Sequence, residues 1–416
     1  METVATAAYE TAYSKPIFAG RTFRGAPVSE LDPFTTEIFD DPRVFHDALL
    51  NAGPLVWLER HGCWAAARYE IVRSILSDWK TFCSSRGVGL DDFGKVKPIR
   101  KQSEILEADP PDHTPLRQVI NRVISPVAIK RLTARWTEIA EELVECCLQK
   151  GSFDAVTNLA EEFPLTVMPE AIGLKLSRDY LLPYGSFVFT IFGPDNELRR
   201  QAFSQAPALL KWLDQQVRRE NLTSTGFGAE FYAAADRGEI TEYQALVAVR
   251  ALLGAGLDTT VNTISAAIEA LASFPDQWAK LRAQPSLARA TFEETLRFDS
   301  PLQIFFRTTS RSVTIGEVEL QEGEKVAIFF GAANHDPRRW TDPYKFDIER
   351  KTAGHVGFGH GIHTCAGQFV ARLEGEVLLE VLARRVSSIQ VTGPKTIRYN
   401  NVLHGAASLP VTMERA

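Results

Sequence analysis

Little in this sequence is built for export, for a membrane or for nucleic acid. Cysteine is scarce and odd in number: Cys63, Cys83, Cys146, Cys147 and Cys365 form no C-x-x-C pair. Neither a disulfide framework nor a zinc ribbon is expected from such a set, and a reducing, cytoplasmic compartment fits it. No apolar run approaches the ~20 residues of a membrane span; the nearest, residues 246–257, carries Arg250 and two glycines. The opening METVATAAYETAYSKP lacks the apolar core of a signal peptide. A formal net charge of −6 gives no support for a nucleic-acid partner. The expectation is a chain that works without membrane or nucleic acid.

What is present is an ordinary globular composition in 416 residues, a length that by itself suggests two or three domains. Residues 1–30 read as a polar, irregular arm. Two short β-like runs, 55–58 and 63–67, meet at His61-Gly62 and lead into a helical pattern from Tyr69 to Trp79. The segment 81–105 is long, glycine-containing and basic in its second half, and loops of that length are usually functional or disordered. Helical spacing then dominates over 127–148, 153–174, 198–217 and 241–274, the last apolar on nearly all sides and so expected to be buried. Short strands are expected over 304–309, 313–315 and 326–330. No Gly/Ser-rich linker divides the chain.

Several stretches carry chemistry. Phe358-Gly359-His360-Gly361-Ile362-His363-Thr364-Cys365-Ala366-Gly367 is a glycine-rich loop that runs into a helix. Cys365 thus sits at or just before a helix N-terminus, where free N–H groups and the macrodipole favour a thiolate. Such a cysteine is a nucleophile or a metal ligand, or else a buried structural residue. Asp109-Pro110-Pro111-Asp112-His113-Thr114-Pro115-Leu116-Arg117 places two basic side chains on one helix face, which suits a nearby anion or a solvated basic surface. Asp258, in Ala255-Gly256-Leu257-Asp258-Thr259-Thr260, is an acid within an apolar helix, costly unless paired or functional. Glu294 and Arg297 can pair at i, i+3, a weak signal alone.

Together these motifs, in this order, closely resemble the cytochrome P450 superfamily, across essentially the whole chain. The resemblance implies one mainly α domain with small β-sheets over residues 31–416, with haem b between the long central helix and the helix after Cys365. Cys365 would be the axial thiolate of the haem iron, Phe358 would shield its sulfur, and Gly367 would complete the cofactor loop. His113, Arg117, Arg307 and His363 would meet the haem propionates. Thr259 would hydrogen-bond dioxygen or a water, and Asp258 would relay protons. Glu294 and Arg297 would form a buried structural pair completed by Arg350. The implied reaction is reductive activation of O₂ and insertion of one oxygen atom into an unactivated C–H bond. A peroxide-driven enzyme or a non-catalytic haem sensor would not need the Asp258–Thr259 pair. No flavin or iron–sulfur segment is fused, so electrons would come from an iron–sulfur ferredoxin with its NADH-dependent reductase, docking where Arg117, Arg122 and Arg372 gather.

The segments 81–90 and 97–103 resemble one bacterial subfamily of these enzymes that oxidises para-substituted benzoic acids, including O-demethylation of 4-methoxybenzoate. That resemblance implies that Arg100 and Ser103 hold a carboxylate and that Phe189, Phe192 and Phe305 close on the ring. Arg250 lies about 12 Å from Asp258 along the helix, which leaves room for a ring held by its acid end. Two serines of the subfamily's long helix are replaced here by Ala251 and Gly254. A neutral methoxy-aromatic or other small hydrophobic substrate is therefore the alternative.

Overall fold

The computed structural model describes residues 17–175 and 180–416, and among these most elements are helices, beside one seven-stranded sheet and smaller ones. The sheet runs Thr22–Phe23, Ala26–Ser29, Val56–Leu58, Cys63–Ala66, Lys325–Phe329, Ile304–Thr309, Phe82–Cys83. Residues 17–30, expected to be irregular, are therefore corrected in part to sheet. Phe23 stacks on Trp57 at 4.4 Å and Val28 is fully buried, so two short strands are held by aromatic packing that no local pattern announces. Residues 1–16 of that expected arm lie outside the described residues. Over 153–174 the helical expectation also gives way at its start, where Ser152–Asp154 pairs as a strand with Pro410–Arg415.

The long helix is two pieces, Glu242–Gly256 and Asp258–Ser273, meeting at Leu257. Thr241 starts it with a capping box closed by Gln244. At the junction the alcohols of Thr259 and Thr260 donate to the carbonyls of Ala255 (2.8 Å) and Gly256 (3.0 Å). Back-bonding of this kind bends helices. Below it runs Gln368–Arg385, whose Val377, Leu378, Val381 and Leu382 are buried in the same core as Val261, Ile264 and Ile268.

A charged trio pins the chain beside the sheet. Glu294 and Arg297, neither exposed at all, bond at 2.8 and 2.9 Å, and Arg350 joins Glu294 at 3.1 Å. Arg297 also donates to the carbonyls of Asn334 (3.0 Å) and Pro343 (2.8 Å). Buried charges are tolerated when every donor and lone pair is used in this way. Among the described residues no helix is long and apolar enough to cross a membrane.

Candidate active site

Cys365 lies three residues before Gln368–Arg385, on a loop shaped by glycine. Gly359 and Gly361 have φ of 71° and 74°, in the left-handed region that side chains disfavour. A Cβ at Gly361 would also collide with the Leu76 carbonyl. The loop closes with Cys365 N donating to Phe358 O at 2.8 Å, and a side chain at Gly367 would start 3.9 Å from the sulfur. Crowding by protein pushes the Cys365 thiol up from its ordinary value. The N–H groups of Gly367 and Gln368 and the guanidinium groups of Arg117 and Arg372 pull it down, without winning.

A cluster of nitrogen donors gathers beside the cysteine loop. His113, at the start of His113–Val123, lies with its ring 4.6 Å from that of His363. The Nε2 atoms of both are buried without a hydrogen-bond partner. Burial, with His363 and Arg117 nearby, brings His113 down to about 4, so it is a neutral donor and Arg117 is the cation of this helix start. Arg117 donates to Thr364 O. Arg307, buried on Ile304–Thr309, donates to Phe306 O at 2.9 Å and forms no ion pair among the described residues. Burial lowers it to about 10, Asp109 and Cys83 opposing, so it stays a cation. Asp109, held by the amides of Ser84 (3.1 Å) and Ser85 (2.9 Å), lies 3.8 Å from His363. Its partners outweigh burial and bring it to about 2. A buried guanidinium without an ion-pair partner and imidazole nitrogens without hydrogen bonds suit an anionic group at this place.

On the long helix Ala255 is exposed and Thr259 half-buried, while Gly254, Leu257, Asp258 and Thr260 beside them are buried. Asp258 is 1% exposed, with Oδ1 lacking a hydrogen bond. Burial raises its carboxyl to about 6, Arg398 lowering and Glu161 raising it. Arg398 Nη1 stands 3.7 Å from Asp258 while its Nη2 binds Glu161 at 2.5 Å. Gly185 permits this burial, since a Cβ there would sit 3.2 Å from that of Asp258. A second acid, Glu374, is buried with one oxygen unpartnered; burial lifts it well above the ordinary range, Thr260 opposing. Arg398, Glu161 and Glu374 were not expected from sequence. Only Glu374 carried a signal, an acid on the apolar side of a helix, the same argument that flagged Asp258.

The three expected ring contacts come together. Phe305 stacks with Phe189 at 6.4 Å and meets Phe192 edge-on at 5.5 Å. Phe305 and Arg307 lie two apart on one strand and so share a face. Arg100 stands 5.0 Å over the Phe192 ring. Its guanidinium grips Glu107, however, at 2.7 and 2.5 Å, and Ser103 gives its amide to the same carboxylate at 2.9 Å. Arg250 is not brought to this cluster: it pairs with Asp214 and stands near Tyr184. Arg372 is no open surface cation either, since it binds Glu293 and Gln368 and lies 4.5 Å over the Phe358 ring.

A cysteine loop, imidazole nitrogens without hydrogen bonds, the buried Arg307 and the half-buried Arg117 suit a flat, acidic iron porphyrin. The chain belongs to the cytochrome P450 family. The sequence model described as Cytochrome P450 matches residues 196–405. Cytochrome P450 CYP199A2 of Rhodopseudomonas palustris is 51% identical over 394 residues, 94% of this chain and 96% of that protein. Cytochrome P450 107B1 of Saccharopolyspora erythraea is 32% identical over 372 residues, 84% of this chain and 88% of that one. The solved structure of cytochrome P450 CYP109Q5 from Chondromyces apiculatus superposes with a TM-score of 0.78 at 28% identity, covering 93% of this chain and 98% of that one. The protein is thus a monooxygenase that uses haem b.

Proposed function

We propose that this monooxygenase hydroxylates or O-demethylates small para-substituted aromatic acids such as 4-methoxybenzoate, with electrons from an iron–sulfur ferredoxin and its NADH-dependent reductase. The observation that carries the substrate reading is the line from Arg100 over Phe192 to Phe305, which ends on the strand bearing Arg307. In this reading Cys365 ligates the haem iron, flanked by Phe358 and Gly367. His113, Arg117, Arg307 and His363 hold the propionates. Bound haem supplies reductive activation of O₂ and transfer of one oxygen atom.

The chain supplies the rest. Phe189, Phe192 and Phe305 grip the flat ring and exclude water from it. Arg100 and Ser103 hold the acid end, which a guanidinium and a hydroxyl suit; Arg250 stands further along the helix. Asp258, brought near neutrality by burial, is able to give and regain a proton at working pH. Thr259 contributes its hydroxyl, and Arg398 with Glu161 connects Asp258 outward. Arg117 and Arg122 belong to the face that the ferredoxin would meet.

A second reading, a neutral methoxy-aromatic, is favoured by two observations. A Cβ at Gly254 would lie 3.0 Å from both Tyr184 and Val188, so the hydroxyl missing there is not easily restored. Arg100 is also already paired with Glu107. Titrating 4-methoxybenzoate and its methyl ester while following the haem Soret band separates the two readings. The acid reading expects the acid to bind more tightly, and Arg100→Ala to weaken the acid about tenfold or more, the scale of a charged hydrogen bond. Equal or tighter binding of the ester by the parent would overturn it.

A further inference from the structure

The loop assigned to a substrate carboxylate already holds one of its own. Glu107 has no exposed side-chain surface, and its two oxygens accept from four donors. These are Arg100 Nη1 (2.7 Å) and Nη2 (2.5 Å), Ser103 N (2.9 Å) and Val88 N (3.2 Å). Gln102 closes the ring by donating to the carbonyls of Ser85 (2.7 Å) and Glu107. Lys101, next in the chain, sits 3.5 Å over the Tyr243 ring at the start of the long helix. One buried carboxylate therefore ties residue 88 to residue 103 and fixes where the Arg100 guanidinium stands.

We propose that Glu107 is a specificity-determining residue: by neutralising Arg100 it sets how strongly this site prefers an acid over its uncharged counterpart. The inference rests on the reading that Arg100 faces the acid end of the substrate. The physics is a competition. A guanidinium shared with an internal carboxylate offers an incoming one less attraction, and two carboxylates on one cation repel each other. In return the internal pair holds Arg100 in place before substrate arrives, which lowers the ordering cost of binding. Because Val88 and Ser103 also donate to Glu107, the carboxylate keeps partners when Arg100 shifts toward a ligand. Glu107 thus trades acid affinity for a preorganised loop.

The test compares parent, Glu107→Gln and the double variant Arg100→Ala/Glu107→Gln as holoproteins. Dissociation constants for 4-methoxybenzoate and its methyl ester are read from the Soret shift. In Glu107→Gln the ester-to-acid ratio of dissociation constants should rise by about tenfold, one charged interaction's scale, with the ester itself little changed. In the double variant that gain should vanish. An unchanged ratio, or acid and ester moving together, overturns the proposal, since a merely structural role would alter both alike. The amide introduced by Glu107→Gln turns a donor toward other donors. If that variant does not hold haem, Glu107→Asp, which withdraws the charge by one methylene, carries the same test with the same sign. The substrate reading fails separately, in the parent alone, if the acid leaves the Soret band unmoved. Even then, a Glu107→Gln protein that acquires acid preference supports this proposal, and one that does not refutes it.

Discussion

Replacing Asp258 by asparagine keeps the shape of the side chain and removes one proton site from the middle of the long helix. Burial lifts this carboxyl from 3.8 to about 6. Each unit is worth about 1.4 kcal/mol, so the ionised form costs the fold about 3 kcal/mol. The sign follows from proton counting. Between about pH 4 and 6 the native state binds more protons than the unfolded chain, so this group's contribution to stability falls as pH rises through that window. Above it the cost is complete. Asp258→Asn should therefore be more stable than the parent at pH 7 by up to about 3 kcal/mol, with roughly half of the difference already present at pH 5. Arg398 is not orphaned by the change, because Glu161 holds it at 2.5 Å. Denaturant unfolding of both holoproteins, followed by circular dichroism from pH 5 to 7.5, measures this directly. Turnover should fall in the same variant by about 10²–10⁴-fold, the scale of a lost general acid or base. A variant no more stable than the parent at pH 7, or one whose advantage does not change with pH, would refute the reasoning.

Other substitutions probe separate parts of the account. Thr259→Ala, which removes the hydroxyl bonded to Ala255, should still bind haem and substrate but divert electrons to hydrogen peroxide. The ratio of product to NADH consumed reads this out, and full yield at the parental rate would sink the role. Glu294→Ala strands Arg297 as a buried, unpaired charge and takes from the half-buried Arg350 its carboxylate partner, and should cost about 3–5 kcal/mol. A thermal midpoint equal to the parent's would show that the trio is not the brace its geometry suggests. In the parent, NADH, O₂ and product should be consumed and formed in equal amounts when ferredoxin and reductase are supplied. Full product formation from hydrogen peroxide without them would favour the peroxide-driven alternative.

The features that could be read from sequence are those written in local spacing. The glycines around Cys365 need positive φ where the chain passes Leu76, and that need shows as F-G-x-G-x-H-x-C-x-G. His113 and Arg117 sit four apart on one helix, and Asp258 stands out because an acid in an apolar run is costly. Harder to read were the partners that long-range packing supplies. Arg398 reaches Asp258 from near the end of the chain, and Asp214 takes Arg250 from the helix Glu197–Gln216. Arg372 reads as a surface cation until Glu293 is seen beside it. The strands at residues 22–29 are too short to show a period and exist because Phe23 lies on Trp57. Cys365 illustrates the limit from the other side. Its helix terminus was visible, but the guanidinium groups of Arg117 and Arg372 beside the sulfur were not.

The central claim, that Cys365 is the axial ligand of a haem, is tested most directly by one spectrum. The carbon-monoxide difference spectrum of the reduced holoprotein should show the red-shifted Soret band of thiolate ligation in the parent. In Cys365→Ser, with haem still bound, that band should be gone. A Cys365→Ser protein that kept the band would contradict the assignment, and with it the account of the site.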